Sequence, residues 1–297
     1  KIVKKGSVPT EAGRDGKEII RDMGELCKKL VADAGITFDD IEYVGIASPG
    51  AIDPVNGVVV YANNLPFVKF PIADILKSFI PVKKVLVEND ANAAAKGEAV
   101  AGAAKGVADA VMITLGTGVG GGIIIDHKVY AGFNYAGAEL GHIVIEHNGR
   151  QCSCGRRGCW EAYSSATGLI NMTKEKLDEC KEKGIPTLMT KLVEEEGKVS
   201  GKTAFAAMKQ GDAPAKEVVD MYISYLGCGL SNIINIFQPE ILVIGGGICN
   251  EKHYLTDPLE VIIKQETYGN EAIKPTTLKI AELGNDAGII GAAVLGL

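Results

Sequence analysis

Five glycines crowd into seven residues at Gly116-Thr117-Gly118-Val119-Gly120-Gly121-Gly122, between the aliphatic runs Ala110-Val111-Met112-Ile113-Thr114-Leu115 and Ile123-Ile124-Ile125. Aliphatic and β-branched runs of this length predict buried strands, and glycines between them predict a tight reversal. The string also satisfies G-x-G-x-x-G, the dinucleotide fingerprint. That fingerprint requires a helix straight after the glycines, so that its N-terminus meets a pyrophosphate. Here a β-branched triplet follows. The spacing therefore predicts a hairpin whose N–H groups and Thr117 hydroxyl wrap phosphates. A purely structural turn is the competing reading, but a two-residue hairpin would not need five glycines.

A second glycine cluster, Gly245-Gly246-Gly247, follows the aliphatic run Ile241-Leu242-Val243-Ile244. Missing side chains there let a flat or charged group approach the backbone, and nucleotide contact competes with close helix-on-strand packing. Two further strands are predicted at Ile41–Ala47, ending in Ser48-Pro49-Gly50, and at Val82–Val87. The second delivers Glu88, Asn89 and Asp90 to the head of a small-residue helix over 91–101. Ligands of open α/β sheets sit beyond the carboxyl ends of strands, so this trio stands where chemistry is done. Asp90, flanked by Asn89 and Asn92, is the candidate general base; a plain helix N-cap at Asn89 or Asp90 competes with that reading.

Helical spacing of Ile19, Ile20, Met23, Leu26, Cys27, Leu30 and Val31 predicts a helix over 17–34 with Gly35 behind its end. Lys1–Thr10 reads as a strand in progress, Glu161–Phe237 as largely helical, Ile241–Ile244 as the last strand, and 287–297 as a helix. The result is an α/β chain of 297 residues, long enough for two lobes around a cleft. A net charge of -6 argues against nucleic acid as a partner. No segment is apolar enough for a membrane span or a signal peptide, so a cytoplasmic location and no membrane partner are expected.

The chain has 7 cysteines, three of them within Gln151-Cys152-Ser153-Cys154-Gly155-Arg156-Arg157-Gly158-Cys159. With one imidazole, from His142 or His147, these thiolates make up the closed tetrahedral set of a structural zinc site. A C-x-x-C redox pair does not fit the spacing. Cys27, Cys180, Cys228 and Cys249 read as packed or idle thiols.

These motifs resemble the ROK family of sugar kinases, and its glucokinases most. The resemblance rests on Ser48-Pro49-Gly50-Ala51-Ile52-Asp53, Asn64-Leu65-Pro66, Glu88-Asn89-Asp90-Ala91-Asn92-Ala93 and Leu115–Gly122. It extends through Glu139-Leu140-Gly141-His142, Cys152–Cys159, Ile244–Gly247 and Asp286–Ala293. It implies a two-lobed actin-like, ribonuclease H-like ATPase fold with a zinc-binding loop, and transfer of phosphate from Mg-ATP to a hexose. Residues 1–106 would form a small lobe completed by helix 287–297, and 107–286 the large lobe with the zinc loop and nucleotide contacts.

By the same resemblance Asp90 takes the proton from the sugar 6-hydroxyl. Gly50, Asn64, Asn89, Asp90, Glu139, His142 and Glu161 hold the sugar; Gly116, Thr117, Gly118, Gly245, Gly246 and Gly247 hold ATP with Mg²⁺. His142, Cys152, Cys154 and Cys159 bind Zn²⁺, with His142 also facing the sugar through its second ring nitrogen. A homodimer or homotetramer is expected.

One departure stands out. The family begins with a strand and an Asp-x-Gly-Gly-Thr phosphate loop, and no such motif occurs in this sequence. A chain cut short by about 20 residues explains this better than a binding-only relative. Such a chain is expected to bind sugar yet transfer phosphate poorly. Glucose is the expected acceptor, with N-acetylmannosamine, N-acetylglucosamine or another hexose as the alternative. A sugar-sensing repressor would need a basic DNA-binding segment, and a structural actin-class ATPase would leave the sugar and zinc motifs unexplained.

Overall fold

The computed structural model describes residues 1–269 and 272–297, and their contacts sort into two units. Lys1–Asp109, Gly122–Ala138 and Glu282–Leu297 form the first, Ala110–Gly121 and Glu139–Ala281 the second. The sequence boundaries at 106/107 and 286/287 differ from this division, because 107–109, 122–138 and 282–286 fall in the first unit.

In the first unit, helix α1 (Gly16–Asp33) starts where the Asp15 carboxylate accepts the Lys17 N–H at 2.8 Å. Its apolar face buries Ile19 and Ile20, matching the predicted helix. Strand β1 (Val44–Ser48) is followed by the small antiparallel sheet of β2 (Ala51–Asp53), β3 (Val58–Tyr61) and β4 (Val68–Phe70). Helix α2 (Ile72–Phe79) packs against α1 before β5 (Val85–Asn89), which pairs in parallel with β1 and leads directly into α3 (Asp90–Ala101). Ile20, Ile46, Ile52, Val59, Phe67, Leu76 and Val87 share one core.

The second unit is built on parallel strands. Strand β6 (Ala110–Leu115) pairs with β9 (Ile241–Gly245), and β9 with β10 (Thr277–Ile280). After a glycine turn β6 continues into β7 (Val119–Ile125), the predicted hairpin, although the turn itself spans only 116–118. Gly120, Gly121 and Gly122 lie within β7. The chain passes from the second unit to the first along this strand, because Gly122 lies against α3: a Cβ there would stand 2.5 Å from the Ala95 Cβ. Strand β8 (Lys128–Val129) turns back on β7.

The predicted helical stretch resolves into α4 (Glu161–Ser164), α5 (Ala166–Lys183), α6 (Leu188–Glu196), α7 (Thr203–Met208) and α8 (Ala213–Phe237), with α9 (His253–Glu266) after β9. Trp160, 0% exposed, donates through Nε1 to the Tyr225 carbonyl at 3.0 Å. Gly229 makes room for its indole, since a Cβ there would lie 2.0 Å from a ring atom.

Three expectations are corrected. Lys1–Thr10 is exposed and carries no strand; among the described residues no strand lies beside it to take its N–H and C=O groups. Ile241–Ile244 is not the last strand, because β10 follows; its alternation of exposed and half-buried residues gave a weak signal. The C-terminal helix, α10 (Ala287–Ala293), stops before 297. There the Tyr43 hydroxyl donates to the Ala293 carbonyl at 2.6 Å and accepts the Gly296 N–H at 3.2 Å, replacing the bonds of a further turn.

Helix α10 lies directly on α3 and β1, with Gly291 against the Ala93 carbonyl, where a Cβ would stand at 1.6 Å. Beside this contact Glu98, 0% exposed, accepts the N–H groups of Ala103 at 2.7 Å, Leu283 at 2.8 Å and Glu282 at 3.2 Å. A buried carboxylate is tolerable only when so bonded. Replacing Glu98 with alanine removes the shared acceptor of these three N–H groups and is expected to destabilise the fold by about 2 kcal/mol or more. Urea unfolding followed by circular dichroism measures this, and an unchanged midpoint would remove Glu98 from the framework.

Candidate functional site

At the head of α3 the register of the parallel pair sets Ser48 opposite Asn89. The turn after β1 and the start of the helix are therefore neighbours. Asn89 caps the helix: its Oδ1 accepts from Ala91 N–H at 2.9 Å and Asn92 N–H at 3.1 Å, while Nδ2 donates to the Gly50 carbonyl at 3.0 Å. Gly50 has φ +102, and a Cβ there would lie 2.1 Å from the Tyr61 carbonyl oxygen. That conformation and that approach both demand glycine.

Because Asn89 does the capping, Asp90 is left exposed at the first helical position. Its Oδ1 accepts from Ala91 N–H at 2.9 Å, and Oδ2 takes no hydrogen bond among the described residues. Glu88 Oε1 accepts from Asn89 N–H at 2.9 Å and from Asn92 Nδ2 at 3.1 Å. Asn64, exposed in the connection between β3 and β4, makes no hydrogen bond to Asn89 or Asp90.

In the second unit, Thr114 lies opposite Gly245, so both glycine turns leave the same end of the parallel sheet side by side. Gly246 has a framework reason to be glycine: with φ +108, its Cβ would meet the Leu115 carbonyl oxygen at 2.1 Å. Gly116 and Gly247 do not, since a Cβ on either would meet nothing within 4 Å. These two leave bare backbone facing open space, as a phosphate or a flat base requires. The start of α5 braces the first turn: Ala166 N–H donates to the Gly116 carbonyl at 2.9 Å, and the Thr167 hydroxyl donates to the Thr117 carbonyl at 2.7 Å.

The cysteine loop folds around positive-φ glycines, Gly155 at +88 and Gly158 at +79, and bridges Val144 to Cys159 and Gln151 to Arg157. It gathers His142, Cys152, Cys154 and Cys159, whose donor atoms all lie within 4.8 Å of one another. Cys154 Sγ is 3.6 Å from Cys159 Sγ, and His142 Nδ1 is 3.7 Å from Cys152 Sγ. Tetrahedral zinc with Zn–S bonds near 2.3 Å sets its sulfurs about 3.7 Å apart, so these residues fit that ion. His147 stands exposed outside the group.

Burial raises the Cys152 thiol and pushes Cys159 up to about 12, whereas the Arg156 backbone N–H lowers Cys154. Beside this loop Glu161 opens α4. Its Oε2 accepts from Val119 N–H at 3.0 Å and its Oε1 from the Ser153 hydroxyl at 3.1 Å. Glu139 is exposed just ahead of the turn that presents His142.

Each unit thus collects its own expected residues. Gly50, Asn89 and Asp90 adjoin in the first; Gly116, Thr117, Gly118, Gly245, Gly246 and Gly247 adjoin in the second, where Glu161 links Val119, just after Gly118, to the loop of the candidate metal ligands. Reasoning from the sequence missed Ser153 and Thr167. Ser165-Ala166-Thr167 carried the signal for the latter: a hydroxyl N-cap just before a helix.

Residues 9–297 match the model of the ROK family. The chain is 39% identical over 295 residues to a glucokinase of Thermotoga maritima, covering 99% of this chain and 89% of that protein. It is similar to a ROK family glucokinase from Streptomyces griseus solved with glucose and AMPPNP, with TM-score 0.77 and 33% identity over 97% of this chain and 89% of that one. A ROK hexokinase from Thermus thermophilus gives TM-score 0.78 and 31% identity, over 97% and 88% of the two chains.

Metal capture by this loop must displace protons from its thiols, because only thiolates ligate. Retention therefore weakens as pH falls, by about tenfold per pH unit for each proton displaced. The metal-free chain behaves oppositely: a raised thiol contributes stability below its ordinary value of 9.0 that is lost as pH rises toward about 12. Atomic emission on dialysed protein is expected to find about one zinc per chain at alkaline pH, less at acid pH, and little at any pH in Cys154→Ser. Unchanged metal in that variant would dismiss the ligand set.

Proposed function

The chain belongs to the ROK family, and from that premise we propose that it transfers the terminal phosphate of ATP to the 6-hydroxyl of glucose. The observation that carries this reading is the division of labour at the head of α3. Asn89 satisfies the helix amides, so the exposed Asp90 carboxylate keeps an oxygen for a substrate proton.

Phosphoryl transfer asks little covalent chemistry of a protein and much alignment. Asp90 accepts the proton from the 6-hydroxyl as that oxygen attacks the γ-phosphorus, and ADP leaves. Asn89 has one N–H of its amide beyond the bond to Gly50, and offers it to the sugar together with Gly50 and Asn64. Glu139, His142 and Glu161 receive the remaining ring hydroxyls. The backbone of Gly116, Thr117 and Gly118 holds phosphate oxygens, and Gly245, Gly246 and Gly247 admit the nucleoside. Mg²⁺ carried by ATP offsets the charge that develops on the transferring group.

A zinc ion held by His142, Cys152, Cys154 and Cys159 serves structure, orienting His142 and the Glu161 loop without entering the reaction. Family membership likewise supports the two-lobed actin-like reading of the fold.

Glucose-dependent release of ADP tests the proposal across a sugar panel. Glucose is expected as acceptor; transfer to N-acetylmannosamine or N-acetylglucosamine but not to glucose would replace it. Asp90→Asn is expected to lower turnover by about 10²-fold or more while glucose affinity moves less than about tenfold. Retained turnover would take Asp90 out of the mechanism.

A further inference from the structure

We propose that Ser153 is a positioning residue that sets the orientation of the Glu161 carboxylate toward the sugar. The inference deepens the hexose kinase reading above and rests on it. Glu161 is gripped at both oxygens by different parts of the chain. Oε2 takes the Val119 N–H at 3.0 Å, from the first residue of β7 after the glycine turn. Oε1 takes the Ser153 hydroxyl at 3.1 Å, from the middle of the cysteine loop. Room for this grip exists because residue 118 is glycine; a Cβ there would stand 2.3 Å from Oε2.

The backbone behind Glu161 is already anchored. Trp160 is 0% exposed and its N–H donates to the Ile143 carbonyl at 2.8 Å. What remains free is the glutamate side chain, whose terminal torsion is broad and two-fold. One hydrogen bond leaves the carboxylate plane free to swing; two bonds on separate oxygens hold it. Oε1 also faces the Cys152 thiol, whereas Oε2 keeps a further lone pair beyond its bond to Val119, so the held carboxylate still accepts a sugar hydroxyl there, in a direction chosen in advance. Such preorganisation is expressed in affinity, because the ordering cost is met before the sugar arrives.

Ser153 sits between Cys152 and Cys154, both members of the metal-ligating set. A loop drawn around one ion delivers its hydroxyl to a defined place, and Cys152 Sγ itself lies 3.7 Å from Glu161 Oε1. The cysteine loop therefore reaches Glu161 by a route that does not pass through His142.

The test is glucose titration of the zinc-loaded chain by calorimetry, with zinc content measured on the same samples. Ser153→Ala is expected to raise the Kd for glucose by about tenfold, the scale of a lost hydrogen bond to a charged group, with zinc content unchanged. Ser153→Thr keeps a hydroxyl and is expected to bind within about twofold of the natural chain. In turnover assays the alanine change should appear in KM, with kcat within about twofold. Equal glucose binding by Ser153→Ala overturns the inference. Weaker binding accompanied by zinc loss also overturns it, since the serine would then serve the loop and not the carboxylate; so does a threonine variant as weak as the alanine one. Failure of the unaltered chain to bind glucose brings down the hexose kinase reading and this inference with it.

Discussion

Parallel strand pairing is the constraint on which both candidate clusters depend. A parallel ladder brings the carboxyl ends of sequence-distant strands to the same edge. In the first unit it sets Ser48 beside Asn89, in the second Thr114 beside Gly245. Strands β6 and β9 are buried along almost their whole length and, Thr114 apart, carry no polar side chain. Polar chemistry is left to the turns that follow them. The glycines without a packing reason, Gly116 and Gly247, stand in those turns.

Carboxylates do the second kind of structural work. Glu98 gathers three backbone donors where α3 ends and the C-terminal segment returns. Glu88 orders Asn89 and Asn92 at the other end of that helix. Glu161 joins the glycine hairpin to the cysteine loop. In each case a carboxylate accepts from N–H or O–H groups that irregular backbone leaves without a ladder partner. Asp90 differs in being exposed while one of its oxygens takes no hydrogen bond among the described residues, which suits a base.

Much of this was legible beforehand where one local signal sufficed. The spacing of Ile19, Ile20 and Met23 marked α1, and the aliphatic runs around Gly116 marked the β6–β7 hairpin. The Cys152-Ser153-Cys154 pattern marked a gathering of thiols. Signals failed where stability came from a distant partner. Strand β10 alternates too weakly to stand out. Residues 287–297 look helical throughout, yet the hydroxyl of Tyr43 ends the helix at Ala293. Lys1–Thr10 has strand-like composition but no neighbour among the described residues to pair with.

Sequence alone determined the family, the α/β alternation, the glycine turns and the clustering of three cysteines in one loop, because each is written in residue type and short spacing. Tertiary structure alone decided which of Asn89 and Asp90 caps the helix, that His142 and not His147 joins the three thiols, and that Ser153 meets Glu161. Those outcomes turn on distances of about 3 Å between groups that the chain brings together only on folding, and no local pattern encodes them.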